Sequence, residues 1–290
     1  MIPASFDYQA PSTLADALRL LDQNREGAKV LSGGQSLLPL LKLRLGQVEM
    51  LVDIGKVPGL DYIREEGGTL RIGGRTREVE LERSELLRSR YPALSDTASV
   101  IADPLVRNLA TIGGNLAHGD PANDHPATMM ALGARVVATG PKGQREIAID
   151  EFFRGLFSTA LEPSEILTEI RIPAPPPRSG GAYVKLERKV GDFATAAAAV
   201  QLTLGAGGAV ERAGIALTNA GPTPVRAREA EKYLVGKKLD EKTLAEAARL
   251  AASAARPSAD RRGSVEYKRE MARVLAARAL EKAARRAEGR

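Results

Sequence analysis

Apolar positions at the start of the chain follow first a helical and then a strand spacing. The helical set predicts a helix that begins after Thr13, with Asp16 completing a capping box and Gly27 ending it. Its apolar positions are Leu14, Ala17, Leu18 and Leu21. Residues 29–31 and 50–54 are short apolar runs that predict strands, and the stretch LLPLLKLRL between them predicts a short helix.

The rest of the chain alternates helical and strand patterns on both sides of a proline-rich run. Before the run, the predicted helices are 79–87, 92–101 and 125–132, and the predicted strands are 69–74, 134–139, 145–149 and 166–172. After it, three strands precede three helices, at 183–188, 195–204, 210–217, 224–235, 240–255 and 264–287. Strands and helices that occur in separate runs are typical of an α+β fold.

Two segments predict the boundaries between structural units. The run Pro-Ala-Pro-Pro-Pro at 173–177 favours an extended linker that forms no core of its own, so the main boundary is expected there. The segment Lys-Val-Pro-Gly at 56–59 predicts a seam between two subdomains. The chain is therefore expected to divide into residues 1–55, 56–176 and 177–290.

Composition excludes several kinds of site. The chain has no cysteine and two histidines, which excludes disulfides, iron–sulfur ligands and thiol catalysis in this chain and argues against a histidine-rich metal site. No apolar run reaches the roughly 18 residues of a membrane span, and no secretion signal is visible at the N-terminus, so a cytoplasmic protein is expected. Ten Lys or Arg against four Glu in residues 261–290 carry the net charge of +6. Apolar residues at helical spacing in this tail predict a docked helix and not a nucleic-acid-binding arm.

Residues 111–126, TIGGNLAHGDPANDHP, form the most polar and glycine-rich stretch. They show no amphipathic pattern, so we expect a functional loop and not a packing element. A similar glycine turn, SGGQS, occupies residues 32–36. Glycine lets successive backbone N–H groups approach an anion, so two such turns could enclose a diphosphate without a basic residue. Neither turn has the Walker pattern or the dinucleotide-binding fingerprint.

The carboxylates and histidines near this stretch leave alternatives open. Asp124 could accept a hydrogen bond from a ligand, or it could cap the helix predicted from His125. Asp103 and Asp120 each precede a proline; we expect both to form turns, Asp103 where the helix 92–101 stops. His118 and His125 lack a third metal ligand, so hydrogen bonding within the protein is favoured over metal binding or acid–base catalysis.

Four segments resemble the FAD-binding medium subunit of the molybdenum hydroxylases, a family that includes aerobic carbon monoxide dehydrogenases, xanthine dehydrogenases and related aldehyde or N-heterocycle dehydrogenases. They are LSGGQSLLPLLKLRL, ADPLVRNLATIGGNLAHGDPANDHPA, EILTEIRIP and KLERKVGDFATAA. The resemblance implies a FAD-binding domain of the vanillyl-alcohol-oxidase-like (PCMH) type, with subdomains 1–55 and 56–176. Residues 177–290 would form a C-terminal α+β domain of the CO-dehydrogenase-flavoprotein type.

The same resemblance implies a set of cofactor-binding residues. The two glycine turns would hold the FAD diphosphate, and Asp124 falls at the flavin-contacting aspartate of the family. Leu167 falls on a strand that packs against the cofactor, Lys185 near a family contact, and Phe193 where relatives place an aromatic beside the isoalloxazine. The implied set is Ser32, Gly33, Gly34, Gln35, Ser36, Ala102, Thr111, Gly113, Gly114, Asn115, Asp124, Leu167, Lys185 and Phe193.

The family also implies partners and a direction of electron flow. A small subunit with two [2Fe–2S] clusters and a large subunit with molybdopterin would assemble with this chain as a dimer of heterotrimers. Electrons would reach FAD from the clusters and leave to a quinone, NAD or oxygen. The chain itself would supply no catalytic acid or base and no metal ligand, would bind no nucleic acid, and would contact a membrane at most peripherally. A free-standing flavin oxidase of the same fold class, with its own substrate pocket, remains the alternative.

Overall fold

A computed structural model describes residues 2–289 and shows three larger sheets in succession along the chain. Helices and strands are mixed throughout, which confirms the α+β fold class. Among residues 2–289 no helix combines the length and apolar composition needed to cross a bilayer.

The first sheet is parallel and has three strands. Its elements are β1 (Asp7–Gln9), α1 (Leu14–Gln23), β2 (Ala28–Leu31), α2 (Leu37–Lys42) and β3 (Met50–Asp53). The central strand β3 pairs with β1 on one side and β2 on the other. Thr13 caps α1 as predicted, because its side chain accepts a hydrogen bond from the backbone N–H of Asp16 at 3.1 Å. The predicted end at Gly27 is wrong: the helix stops at Gln23, and Asn24 is the C-cap.

The second sheet is antiparallel, and a group of short helices is inserted between two of its strands. Its elements are β4 (Ile63–Glu66), β5 (Thr69–Gly73), α3 (Glu78–Arg83), α4 (Glu85–Arg90), α5 (Pro92–Ser99), α6 (Pro104–Arg107), α7 (Ile112–His118), α8 (His125–Leu132), β6 (Arg135–Gly140), β7 (Gly143–Ala148), α9 (Ile149–Phe152), β8 (Phe153–Gly155), β9 (Ser158–Thr159) and β10 (Ile166–Pro173). The strand order is β4-β5-β10-β6-β7, and β8 and β9 form a separate hairpin.

Three predictions for this part are wrong in detail. The helix predicted at 79–87 is two helices, because Ser84 is extended and its side chain caps α4 by accepting from the N–H of Leu87. Asp103 does not end a helix but begins α6, where its carboxylate accepts from the N–H groups of Leu105 and Val106. The stretch 111–126 is not a continuous loop, because it contains all of α7 and the start of α8.

The last sheet is antiparallel and precedes three helices. The elements are β11 (Ser179–Leu186), β12 (Ala196–Leu204), β13 (Val210–Thr218), β14 (Val225–Arg226), α10 (Arg228–Leu234), α11 (Glu241–Ala254) and α12 (Val265–Ala287). The helix predicted at 224–235 begins late, because Val225 and Arg226 add a fourth strand. The basic tail is the docked helix α12, as predicted, and its alanines lie against β11 and β12.

Both faces of this last sheet are buried. Side chains of one face join the core of the second sheet, among them Tyr183, Ala197, Ala199 and Ala216. Side chains of the other face form a separate core with α10, α11 and α12. The ion pairs of Arg286 and Lys282 with Asp96 of α5, at 2.6 and 3.0 Å, also tie α12 to the second part of the chain. The segment at 173–177 therefore connects parts of the chain that share one core.

Candidate functional site

A cavity of about 1100 Å³ is lined by residues from all three parts of the chain. It brings together all but one of the residues that the sequence predicted for the cofactor. These are Ser32, Gly33, Gly34, Gln35, Ser36, Ala102, Thr111, Gly113, Gly114, Asn115, Asp124, Leu167 and Phe193. The exception is Lys185, whose side chain is 2 % exposed and reaches Asp124 from behind the cavity wall.

The first glycine turn, residues 32–36, presents free backbone donors. Within residues 2–289, none of the N–H groups of Gly33, Gly34, Gln35 or Ser36 donates to a protein acceptor. Gly34 has a φ of +73°, a left-handed conformation that glycine adopts without strain. Four successive free N–H groups can donate hydrogen bonds to an anion.

The second glycine turn is built differently. Its backbone N–H groups are already bonded: Gly113 donates to the carbonyl of Gly74 at 2.9 Å, Gly114 to the Thr111 hydroxyl at 3.2 Å, and Asn115 to the Thr111 carbonyl at 2.9 Å. The prediction that this turn also points successive free N–H groups at an anion is therefore wrong. What it can present to a ligand is the Thr111 hydroxyl, the Asn115 amide and the open surface of Gly114.

The two turns nevertheless touch. The hydroxyls of Ser32 and Thr111 are hydrogen-bonded at 3.0 Å, although 79 residues separate them in the chain. Gly33 lies so close to this contact that a Cβ atom there would be 2.3 Å from the carbonyl oxygen of Leu109. Glycine at position 33 is thus required by the packing of one turn on the other.

Asp124 lies at the inner end of the cavity in a buried hydrogen-bond network. One carboxylate oxygen accepts from the Tyr183 hydroxyl at 2.6 Å, and the other from the Lys185 ammonium at 3.0 Å. Lys185 also donates to the carbonyl of Val100 at 3.0 Å. The side chain of Asp124 makes no capping bond to α8, so the capping interpretation is wrong.

Burial dominates the electrostatics of this network. Loss of water raises the pKa of Asp124 above its ordinary value, although the charge of Lys185 and the Tyr183 hydroxyl act in the opposite direction. The same burial, together with the neighbouring carboxylate, raises the pKa of Tyr183 well above 10. Tyr183 is therefore a neutral hydrogen-bond donor at any physiological pH.

Phe193 lines the cavity from the segment between β11 and β12. Its ring is 45 % exposed and lines the cavity, while its neighbour Ala194 is fully buried. An exposed aromatic ring on a cavity wall is suited to stacking against a planar ligand.

The comparisons with known proteins agree with this geometry. Residues 4–175 match the model of the FAD binding domain in molybdopterin dehydrogenase, and residues 181–283 match that of the CO dehydrogenase flavoprotein C-terminal domain. The chain belongs to this family of FAD-binding medium subunits. It is 48 % identical to the carbon monoxide dehydrogenase medium chain of Afipia carboxidovorans, with 99 % of each chain covered. It is 45 % identical to the corresponding chain of Hydrogenophaga pseudoflava, with 97 % of each covered.

A solved structure extends the similarity to three dimensions. The chain superimposes on a subunit of the Cu,Mo-CO dehydrogenase in its cyanide-inactivated form with a TM-score of 0.95 and 48 % identity, and the match covers 99 % of this chain and 100 % of that one. The expected fold, a FAD-binding domain followed by the flavoprotein C-terminal domain, is confirmed. So is the family that the sequence resembles.

The residues of this medium subunit fit a flavin dinucleotide. The free N–H groups of residues 33–36 match the acceptor oxygens of a diphosphate, and Lys29 is the one lysine or arginine among the described residues that line the cavity. The side-chain oxygen of Asn115 is buried with no protein partner, which leaves the Asn115 amide available to a polar ligand atom. Phe193 supplies an apolar face.

Ala102 and Phe157 are the two non-glycine residues with a positive φ, +45° and +54°, among the described residues that line the cavity. Ala102 lies next to Gly191. The left-handed region costs a residue with a Cβ about 1–2 kcal/mol, and such strain concentrates at functional sites.

We expect Ala102→Gly to stabilise the medium subunit by about 1 kcal/mol, because glycine adopts a positive φ without strain. The larger conformational entropy of glycine in the unfolded chain offsets part of this gain. Ala117→Gly, at an exposed helical position that also lines the cavity, should instead lose about 1 kcal/mol. Chemical denaturation of both variants measures the difference. Equal losses in the two variants would show that position 102 carries no strain.

The histidines have separate surroundings. His125 is fully buried and lies 2.7 Å from the Glu78 carboxylate, which is equally buried. His118 lines the cavity and packs against the ring of Phe157 at 5.1 Å between centroids; burial lowers the pKa of His118 and favours its neutral form. No cluster of three potential metal ligands occurs among residues 2–289. His125 therefore makes a buried hydrogen bond within the protein, as predicted, and His118 lies in a different environment.

Tyr183 is the site residue that the sequence interpretation missed. The signal was present, because Tyr183 precedes Lys185 by two positions in a strand and side chains at this spacing project from the same face. Recognising it required knowing that this face of β11 lies against Asp124.

Proposed function

We propose that this medium subunit binds one FAD in the 1100 Å³ cavity, with the diphosphate against the free N–H groups of residues 33–36. The Thr111 hydroxyl and the Asn115 amide would complete the contact from the second turn. The observation that carries the proposal is the row of unbonded donors beside a hydroxyl pair that joins the two turns. The proposed contact set is the one given by the sequence, with Lys185 acting through Asp124.

The remaining residues of the cavity would orient the cofactor and tune its surroundings. Asp124, held by Tyr183 and Lys185, places a fixed carboxylate at the inner end, where it can accept a hydrogen bond from the cofactor. Leu167 and Phe193 supply apolar contact to the cofactor, and Gly114, which has no side chain, leaves space for the cofactor. FAD, when bound, supplies the electron-transfer chemistry, and no side chain of this subunit need act as an acid or a base.

Relatives of this chain are subunits of larger dehydrogenases, so it works with partner subunits. We propose that these partners are a small subunit with [2Fe–2S] clusters and a large subunit with molybdopterin, arranged as a dimer of heterotrimers. FAD would receive electrons from the clusters and pass them to an external quinone, NAD or oxygen. The absence of cysteine in the sequence fits a division in which the clusters belong to another chain.

Further parts of the proposal concern location and organisation. We propose a cytoplasmic complex whose contact with a membrane is peripheral and which binds no nucleic acid. We also propose the division into residues 1–55, 56–176 and 177–290. If this division is correct, limited proteolysis of the FAD-loaded complex should cut first at the boundaries between these parts, near residues 56–59 or 173–177.

Purification of the complex from its native source tests the proposed function. We expect two further subunits, non-covalently bound FAD, iron, acid-labile sulfide and molybdenum. Treatment with denaturant and acid should release the flavin into the supernatant. A protein that purifies alone with its flavin retained on the precipitate would support the free-standing oxidase and reject the subunit proposal.

A further inference from the structure

The segment that carries Phe193 is fixed on both sides. On one side, Gly191 has a φ of +86°, and a Cβ atom there would lie 3.2 Å from the backbone of Ala102. On the other side, the amide of Asn219 donates to the carbonyl of Ala194 at 2.8 Å. The Phe193 ring is thus the free part of an otherwise anchored segment, and its position depends on the backbone that precedes it.

Asp192 is the link between that backbone and a distant part of the chain. One carboxylate oxygen of Asp192 accepts both the N–H of Phe193 and a guanidinium N–H of Arg262, each at 2.8 Å. The Asp192 side chain is 10 % exposed, and the hydrogen bond from Arg262 is the main cause of its lowered pKa. A single carboxylate therefore couples Arg262 to the residue whose ring lines the cavity.

The backbone of Arg262 is held 70 residues further along the chain. Its backbone N–H donates to Asp260 at 2.7 Å, and the other oxygen of Asp260 pairs at 2.8 Å with the ammonium of Lys268, whose side chain is 1 % exposed. Lys268 also donates to the carbonyl of Ser258 at 3.0 Å. The connection between α11 and α12 is thus pinned by a buried lysine of α12.

We propose that Arg262 is a positioning residue for the cofactor: through Asp192 it sets the place of the Phe193 ring against the planar ring system of the ligand in the cavity. The inference rests on the proposed FAD site. It adds a residue from the far end of the chain, which lines no part of the cavity, to the machinery of that site.

The test compares Arg262→Gln with Arg261→Gln, which changes the same residue type at an exposed adjacent position. The equilibrium dissociation constant of FAD is measured by dialysis of the assembled complex against FAD. We expect Arg262→Gln to raise this constant about tenfold, as the loss of one charge-assisted, partly buried hydrogen bond would, and Arg261→Gln to leave it unchanged. Arg262→Lys, which keeps the charge, should restore binding to within about threefold of wild type.

A second background separates positioning from general destabilisation. In a Phe193→Ala protein there is no ring to place, so Arg262→Gln should have no further effect on FAD binding. An equal loss in both backgrounds would assign Arg262 a merely structural role and overturn the inference. If Arg262→Gln does not assemble, Asp192→Asn is compared in the two backgrounds with the same expectation.

The remaining outcomes distinguish this inference from the function on which it rests. Wild-type complex that binds FAD, with Arg262→Gln and Arg261→Gln indistinguishable from it, would overturn the positioning role and leave the FAD site standing. Wild-type complex that binds no FAD would overturn both.

Discussion

Gly114→Val should weaken FAD binding about a hundredfold while leaving the fold intact. Gly114 is exposed in the cavity wall, and a Cβ atom there would meet one protein atom, the Thr111 hydroxyl oxygen at 2.9 Å. Valine is no poorer a helix former than glycine, so α7 should persist. Its branched side chain would occupy space proposed for the cofactor, and forced overlap in a close-packed contact costs roughly 3 kcal/mol. The flavin-to-protein ratio after purification and the FAD dissociation constant measure the effect.

Matched variants show whether the cavity or the helix is responsible. Ala245→Val adds a branched side chain at an exposed position of α11 far from the cavity and should not change FAD binding. Gly113→Ala is different in kind, because its Cβ would lie 2.3 Å from the carbonyl oxygen of Gly74, and we expect loss of folded protein. Unchanged flavin content in Gly114→Val would refute the assignment of the second turn to the cofactor.

Lys185→Met should destabilise the folded medium subunit by about 3 kcal/mol, because it leaves the Asp124 carboxylate buried without its cation. Methionine keeps most of the volume of the lysine stem, so the loss is electrostatic and not a cavity. Lys232→Met is the control: that lysine and its partner Glu229 are each 72 % exposed, and such pairs contribute about 0–1 kcal/mol. Chemical denaturation at neutral pH gives both values.

The loss should also depend on pH. Burial raises the pKa of Asp124 in the folded protein, and removal of Lys185 raises it further. Between the unfolded and the folded pKa the folded state binds more protons, so the free energy of unfolding falls as pH rises through that window. The difference between wild type and Lys185→Met should therefore be smaller at about pH 5 than at about pH 8. A difference that is constant or grows on acidification would mean that Asp124 is not the group left uncompensated.

Local sequence patterns predicted the elements whose signals lie within a few residues. Thr13 caps α1, but the Asp16 carboxylate accepts from the Thr13 hydroxyl at 2.8 Å and does not complete the predicted capping box. Ser264 and Asp240 occupy the N-cap positions of the two long C-terminal helices. The strands missed were β1, β4, β8, β9 and β14, which have two to four residues and are paired by distant partners or a short hairpin. Segments this short have no periodicity of their own, and only the tertiary contacts determine that they are strands.

The candidate site shows the same division between local and distant information. The sequence identifies both Gly-Gly turns, but it does not predict the hydrogen bonds of the second turn. The N–H groups of that turn donate to Gly74 and to Thr111, and they lie in a helix that its glycines do not indicate. The cofactor-binding residues came from the family resemblance, and their contacts with FAD stay predictions. Tyr183 and Arg262 act through Asp124 and Asp192, and pairing them needed contacts over 59 and 70 residues. No pattern within one segment of the chain carries that information.

The burial of the last sheet on both faces has a consequence for the order of events during synthesis. Domains fold from the N-terminus as the chain leaves the ribosome. In this protein, however, part of the cavity wall follows β11, and α12 is needed to cover the second face of the sheet that contains β11. Arg262 and Lys268, which anchor the Phe193 segment, are made after β11 and β12. Flavin loading should therefore follow the synthesis of α12.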